Sequence, residues 1–407
     1  MKRVSILVLS MLALAINAQA GGFQIPEQGA KAAGLANAFA GVADDPSALW
    51  FNPAGVAFQD GSAIMANADV IVPTHEFTDT GGTYETKDEV FFVPQAYVVY
   101  KNDDWPVILG LAVNSPFGLS TDWSSSGAPF STAAAGAQSV TFSALEAVHI
   151  NPNIIYRIDD HWAVAAGVAY YNAYNVNLDN ALLFIDADGD GWGGNAALFY
   201  HRDKFNFGVS YRSKVKLDIK GTARGGALLG PLAGVTSGAT TDLTLPDLVA
   251  VGASHRWSEW LVSAEVDWVN WSEFDSIDIA FAPSALNAAT GTSTSIPENW
   301  DDTVAFRLGV QWDYLSNMRA RAGYTYDPTP IVDADFSPRL PGNDRQLFTI
   351  GHGMDLMGGK ATVDLAYVFV LLDDRTQAAS AGGGRVLYNG QYESHTHLFS
   401  GAFTYRF

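Results

Sequence analysis

The sequence predicts an all-β fold, a transmembrane antiparallel β-barrel of about fourteen strands with a small N-terminal plug in its lumen. Three observations predict it. Segment after segment alternates apolar and polar residues with period two, as strands with one apolar and one polar face do. Aromatic residues crowd strand ends roughly ten residues apart, the spacing of two interfacial girdles; Trp257 and Trp260 mark one end of such a segment, Trp268 and Trp271 the other. The chain also finishes on an aromatic strand, with His395, His397, Phe399, Gly401, Phe403, Tyr405 and Phe407 on one face.

In chain order, residues 1–20 read as an export signal. Lys2 and Arg3 precede the apolar stretch Val4 to Ile16, and Ala18-Gln19-Ala20 offers a small-x-small cleavage site. No later segment reaches the roughly 18 uncharged apolar residues of a spanning helix. Residues 21–60 do not alternate. Their small residues (Gly29, Ala30, Ala32, Ala33, Gly34, Ala36, Ala38, Ala40 and Gly41) suit close packing inside a lumen, although a periplasmic arm is the other reading.

Strands fill residues 61–407. Phe205, Phe207, Val209 and Tyr211 alternate with Asn206, Gly208, Ser210 and Arg212; Val262, Ala264, Val266 and Trp268 alternate with Ser263, Glu265 and Asp267. Val363, Leu365, Tyr367 and Phe369 alternate with Thr362, Asp364, Ala366 and Val368. A dry sandwich core would not tolerate Glu265, Asp267, Arg319 and Arg321 on its inner face, whereas a wide lumen would. Lipid cannot satisfy an open sheet edge, so the barrel must close. Short turns such as Asp159-Asp160 and Leu315-Ser316-Asn317 would face the periplasm. Stretches near Ser124–Gln138, Gly221–Thr241, Pro283–Glu298 and Gln377–Val386 would be outer loops.

Composition removes several classes of function. The 23 basic residues stand against 43 acidic ones, a net charge of −20, which argues against nucleic acid. With no cysteine there are no disulfides or thiolate metal sites, as suits an oxidising compartment.

Several short motifs occur in order along the chain. They are Gly22-Phe23-Gln24, Glu27-Gln28-Gly29-Ala30, Ala40-Gly41-Val42-Ala43-Asp44-Asp45-Pro46-Ser47-Ala48 and Asn52-Pro53-Ala54-Gly55. Further on stand Ser115-Pro116-Phe117-Gly118-Leu119, Tyr211-Arg212-Ser213-Lys214-Val215-Lys216 and Leu243-Thr244-Leu245-Pro246-Asp247. Asp267-Trp268-Val269-Asn270-Trp271-Ser272-Glu273-Phe274 and Pro338-Arg339-Leu340-Pro341-Gly342-Asn343-Asp344-Arg345 complete the series. In these residues the chain resembles the FadL/TodX family of outer-membrane transporters for fatty acids and hydrocarbons. The resemblance implies a fourteen-stranded barrel whose N-terminal plug carries Asn52, Pro53, Ala54 and Gly55 as its hatch. It implies that Phe23 reaches into an apolar ligand pocket, that the plug moves, and that the ligand leaves through a gap in the wall into the bilayer. It also implies a monomer in the outer membrane, and the terminal Phe407 resembles the recognition signal of the barrel assembly machinery. Outer-membrane lipid and lipopolysaccharide would surround the wall.

The residues themselves add candidates. Phe117, Trp123, Phe130, Trp192 and Trp300 could supply apolar capture surface, with girdle or loop packing as the alternative. A carboxylate ligand would need a basic anchor, yet Tyr170–Leu183 and Glu298–Thr303 hold no Lys or Arg. Arg224, Arg339 and Arg345 remain candidate anchors, and the scarcity of basic groups tilts towards a neutral ligand. Pro94 or Pro116 could bend a strand and open the wall. Asp186, Asp188, Asp190 and Gly191 match positions 1, 3, 5 and 6 of a calcium loop, but Ala197 stands at position 12, so an acidic turn is the plainer reading. His395 and His397 share a strand face without a third ligand, and no cofactor is expected. Neither G-x-S-x-G nor H-E-x-x-H occurs, leaving an outer-membrane lipase as a weaker alternative, beside an adhesin or structural barrel with an immobile plug.

Overall fold

The computed structural model describes residues 22–102, 104–378 and 386–407. The expected export signal and part of the Gln377–Val386 loop lie outside these residues. Fourteen strands form the wall: β1 (Ala63–Asp79), β2 (Phe91–Tyr100), β3 (Val107–Asn114), β4 (Phe142–Arg157), β5 (Trp162–Asp179), β6 (Leu183–Arg202) and β7 (Phe205–Arg212). The second half is β8 (Leu248–Trp257), β9 (Trp260–Val269), β10 (Thr303–Leu315), β11 (Met318–Asp327), β12 (Arg345–Leu356), β13 (Ala361–Leu372) and β14 (Gly390–Arg406). Each pairs antiparallel with the next, and β14 returns to β1, with register from Ala63 opposite Arg406 to Thr78 opposite Gln391. The ring is closed, as the edge argument requires.

The alternation sorts side chains to the two faces as expected. Ser263, Glu265 and Asp267 point inward and are buried, while Ala264 and Val266 are exposed. On β14, Phe399 and Phe403 face outward and Ser400, Ala402 and Thr404 inward. Tight turns join strands at one end, where β1 begins and β14 finishes; the long connections lie at the other.

Two expectations about loops need correction. Gly221–Thr241 is largely a hairpin of two further strands, Val215–Gly225 and Thr236–Leu245, paired through their length. Val215–Gly225 extends the upper part of β6, and Ser276–Phe281 and Ser293–Pro297 continue this rim sheet beyond the wall. The acidic run is likewise no turn. Asp186, Asp188 and Asp190 are successive exposed residues on one face of the continuous strand β6, and no group of three or more metal-binding side chains occurs among the described residues. The alternate spacing of a calcium loop is also the period of a strand face.

The N-terminal segment lies inside the ring. A short helix, Ala30–Ala33, packs against β12, β13 and β14; a second helix, Ala48–Phe51, leads into a 3₁₀ stretch, Pro53–Phe58, against β4, β5 and β6. Between them the backbone presses directly on the wall. A Cβ at Gly208 would stand 2.0 Å from the Ala40 carbonyl oxygen, one at Gly309 2.6 Å from that of Leu35, and one at Gly252 2.8 Å from the Gly41 nitrogen. These wall positions need glycine because another backbone fills the space.

Candidate functional site: an apolar cavity and a gap in the wall

The buried N-terminal segment must satisfy its backbone groups without bulk water. Wall side chains do this. Ser254 Oγ donates to Gly41 O (2.7 Å), Thr325 Oγ1 to Ala36 O (2.8 Å) and Tyr97 OH to Gln28 O (2.7 Å). In the other direction Ala40 N donates to Glu265 Oε2 (2.5 Å) and Ala30 N to Asn67 Oδ1 (2.9 Å). Asn52 is fully buried. Its amide lies within 3.2 Å of Ala40 O and 3.1 Å of Leu198 O, and its Oδ1 accepts from Ala54 N, so one side chain ties both halves of the segment to the wall. Pro53 opens the 3₁₀ turn, where its missing N–H is no loss, and a Cβ at Gly55 would meet Ala43 Cβ at 2.4 Å. Arg212 donates to Leu49 O (2.9 Å) and to Trp50 O, with its guanidinium 3.9 Å above the Trp50 ring.

The chain's first described residues reach towards the long-loop end. Phe23 sits at the centre of an aromatic cluster, with ring centroids 4.9 Å from Trp271, 5.6 Å from Phe274, 5.7 Å from Trp300 and 6.0 Å from Phe117. Gly22, at φ +55°, fits between the Trp271 and Trp300 rings. Two cavities meet at Phe23. The first, about 110 Å³, lies beneath the rim sheet and is lined by Leu145, Ile219, Leu243, Ile277, Ile279 and Ile331 among others. Its cation, Arg339, lies 3.8 Å from Glu298, whose other oxygen accepts from Trp300 Nε1 at 3.2 Å.

The second cavity, about 370 Å³, runs through the wall. It has Glu27 and Arg345 within and the exposed Val90, Phe92 and Tyr174 outside. The cause is a broken ladder. β2 pairs with β3 only from Ala96 opposite Val113 to Tyr100 opposite Leu109, so Phe91–Gln95 have no ladder partner on that side. Beyond Asn114 the chain turns inward and bonds the N-terminal segment instead. Ile25 N donates to Pro116 O (2.9 Å) and Gly118 N to Phe23 O (3.1 Å). Pro94 and Pro116 thus lie on opposite sides of the gap. Arg345 is paired with Asp327, and burial pushes the Glu27 carboxyl above the usual carboxylate range, with Arg345 and Arg307 pulling the other way.

The remaining predicted residues lie elsewhere. Trp123 and Phe130 are fully buried among Phe77, Tyr388 and Tyr392, in the part of the apolar core that loops cover, and line neither cavity; Trp123 Nε1 donates to Pro338 O at 2.9 Å. Trp192 is 65% exposed and rests on Tyr170 outside the wall, because strand parity turns it away from the lumen. Arg224 is also outward, over the Phe184 ring. Trp271, read as part of an outer girdle, is instead buried against Phe23, since the chain leaves β9 at Val269 and turns inward. His397 faces outward and bonds the Tyr367 hydroxyl at 2.8 Å. Phe274, Leu243, Ile277 and Leu340 also line a cavity without having been marked as ligand residues; Leu243, Phe274 and Leu340 stand in the family-like motifs, and Leu243 and Ile277 alternate with polar neighbours.

A closed fourteen-stranded barrel, filled from its N-terminus and holding an apolar cavity that opens sideways through the wall, defines an outer-membrane barrel for hydrophobic solutes. The chain belongs to the family described as outer membrane protein transport protein (OMPP1/FadL/TodX), whose sequence model matches residues 11–407. The long-chain fatty acid transport protein of Salmonella typhi is 25% identical, over 99% of this chain and 98% of that one. Alkane uptake protein A of Marinobacter nauticus is 24% identical over 41% of this chain and 38% of its own. Among solved structures, a Pseudomonas aeruginosa FadL homologue superposes with TM-score 0.79 at 19% identity, covering 95% of this chain and 100% of that one. The Ralstonia pickettii toluene transporter TbuX gives 0.69 at 18%, covering 92% and 97%. The protein therefore resides in the outer membrane, its short turns towards the periplasm.

Proposed function

We propose that the protein is a passive channel for neutral hydrophobic molecules, alkanes or monoaromatics rather than fatty acids, and not an enzyme. One observation carries the choice of ligand: the arginines lining the two cavities, Arg339 and Arg345, each already face a carboxylate of this chain, Glu298 and Asp327. A fatty-acid head group would have to displace one of them, whereas a hydrocarbon asks only for apolar lining. Residues 1–20 act as the export signal, 21–60 as a plug whose hatch is Asn52–Gly55, and 61–407 as the wall. Ligand held beneath the rim sheet passes Phe23, which lines both cavities, and leaves between β2 and β3 into the bilayer. Sideways exit keeps the solute out of water, which would cost about 0.8 kcal/mol for each CH₂ exposed. The protein works as a monomer embedded in lipid and lipopolysaccharide, and Phe407 presents the assembly signal.

Uptake of labelled toluene, octane and oleate by cells with and without the protein tests this reading. Faster entry of toluene or octane, with oleate unchanged, is the expected result, and Glu298→Gln, which frees Arg339, should then let oleate bind. Faster oleate entry in the unaltered protein would sink the neutral-ligand reading. Deleting Asn52–Gly55 should change the rate; an unchanged rate would favour an immobile plug.

A further inference from the structure

Loops close the barrel top on one side. Trp123, Phe130, Phe336, Tyr388 and Tyr392 form a buried core there, and the Tyr388 hydroxyl donates to Gln138 O at 2.7 Å. The apolar cavity lies under the other side, below the rim sheet, and that sheet is split. Thr236–Leu245 pairs with Val215–Gly225 down to Leu245 opposite Val215, and Ser276–Phe281 pairs with Ser293–Pro297 down to Ser276 opposite Pro297. Between themselves these two inner strands pair only at Ala239 opposite Phe281 and Thr240 opposite Ala280. Below that point the facing edges, Thr241–Leu245 and Ser276–Ile279, carry no ladder pairing with each other.

The split is bounded at both ends. Above, Ala282 N donates to Gly238 O (2.8 Å) and Ser237 Oγ to Ala282 O (2.7 Å). Below, Asn270 N donates to Asp247 O (2.9 Å). Four or five residues at about 3.3 Å each make a slot on the order of 15 Å long. Leu243 and Ile277 point inward on either side of it and line the cavity, yet both remain partly exposed; Thr240, on the outer face, lines the same cavity. The outer lips carry Asp242 and Asp278. Directly beneath, outward Tyr211, Val249 and Trp268 are register neighbours at the top of the wall, and Tyr211 donates to Asp247 at 2.6 Å. Aromatic side chains at that height mark the membrane interface.

We propose that this slot is the way in: a side door at the head-group level through which neutral hydrophobic molecules reach the cavity from the outer leaflet. The molecule would cross the membrane's outer layer dissolved in it and never need to enter water above the loops. This inference rests on the channel reading given above. It places admission in the rim sheet and exit between β2 and β3, on different strands.

The test uses the absence of native cysteine. Asp242→Cys and Asp278→Cys put thiols on the two outer lips, neither lining the cavity, and a short bis-methanethiosulfonate bridges them in whole cells. Toluene uptake should fall at least fivefold when the pair is bridged and recover on reduction. Each single variant treated with the same reagent should stay within twofold of the untreated protein. A fully bridged protein that takes up toluene at the unbridged rate overturns the side door while leaving the channel intact. Absence of protein-dependent uptake of any of the three labelled solutes before bridging overturns the channel reading, and the side door with it.

Discussion

The two ends of the barrel interior solve opposite problems. In the periplasmic half the lumen is filled by the chain's own N-terminal segment, and the contacts are polar and specific. Examples are Asn52 on the Leu198 carbonyl, Arg212 on those of Leu49 and Trp50, and Ser254 on that of Gly41. In the outer half the lumen is lined by Leu, Ile, Phe and Trp and left partly empty. Polar satisfaction makes the first half specific to this one segment, because a buried group that loses its partner costs about 1–3 kcal/mol. Dispersion and area make the second tolerant of any apolar occupant. Among the described residues, both arginines that line the cavities, Arg339 and Arg345, face a carboxylate, and the proposed selectivity rests on that pairing.

Substitutions should expose that contrast. The largest effect is expected from Gly208→Val, where the new side chain meets the Ala40 carbonyl; overpacking against backbone should cost about 3 kcal/mol and release the segment to protease. Gly401→Ala is the control, since its Cβ would meet only Leu365 Cδ2 at 3.6 Å. If Gly208→Val were as protease-resistant as Gly401→Ala, the close fit would be wrong.

Next comes Asp45, in the N-terminal segment. Burial raises its pKa to about 6 from 3.8, with Asp44 adding to the rise and Lys31 and the Ser47 hydrogen bonds opposing it. A raised acid is penalised once ionised, so the segment should be firmest below pH 4 and loosen as pH climbs through 6. The difference is about 3 kcal/mol by linkage. Melting temperatures across pH 4–7 should fall for the native chain and flatten for Asp45→Asn; equal slopes would show that Asp45 is not the group responsible.

In the outer half, Phe23→Ala removes the ring shared by both cavities. An aromatic contact with the ligand contributes about 0.5–1.5 kcal/mol, so toluene affinity should drop up to roughly tenfold, alongside a lower melting temperature from the lost core packing. A collapsed barrel instead would mean that Phe23 is structural. Trp192→Ala, outside the wall, should leave uptake within twofold; a larger loss would reopen a role for its face.

Most of the wall was legible in the sequence because a strand half in lipid and half in a polar lumen must alternate, and Glu265, Asp267, Arg319 and Arg321 announced the polar side. The site was legible only in part. Phe23, Phe117, Trp300, Arg339 and Arg345 do line the cavities, but Trp123 and Phe130 belong to a loop core and Trp192 to the exterior. Aromatic identity is the same for girdle, lid and pocket; what separates them is parity on a strand, or a turn that reverses it. Trp271 shows this, two residues past the end of β9 yet facing inward. The gap beside β2 was hinted at by two prolines, but no local pattern says that Ser115–Phe117 will prefer the N-terminal segment to its neighbouring strand.

The seam between β1 and β14 has a consequence for how the molecule comes to exist. Residues 63–78 bond residues 391–406, so the first wall strand to be synthesised must wait for the last before its edge is satisfied. Such distant pairing is slow because the chain's loop entropy must be overcome before any contact rewards it. Until that moment the sheet is an open ribbon with two sticky margins and the segment at 22–60 has nowhere enclosed to go. The segment is therefore either laid against the curling ribbon and wrapped, or threaded in from an end after closure. The glycine positions that press on its backbone favour wrapping, because they leave little room for passage.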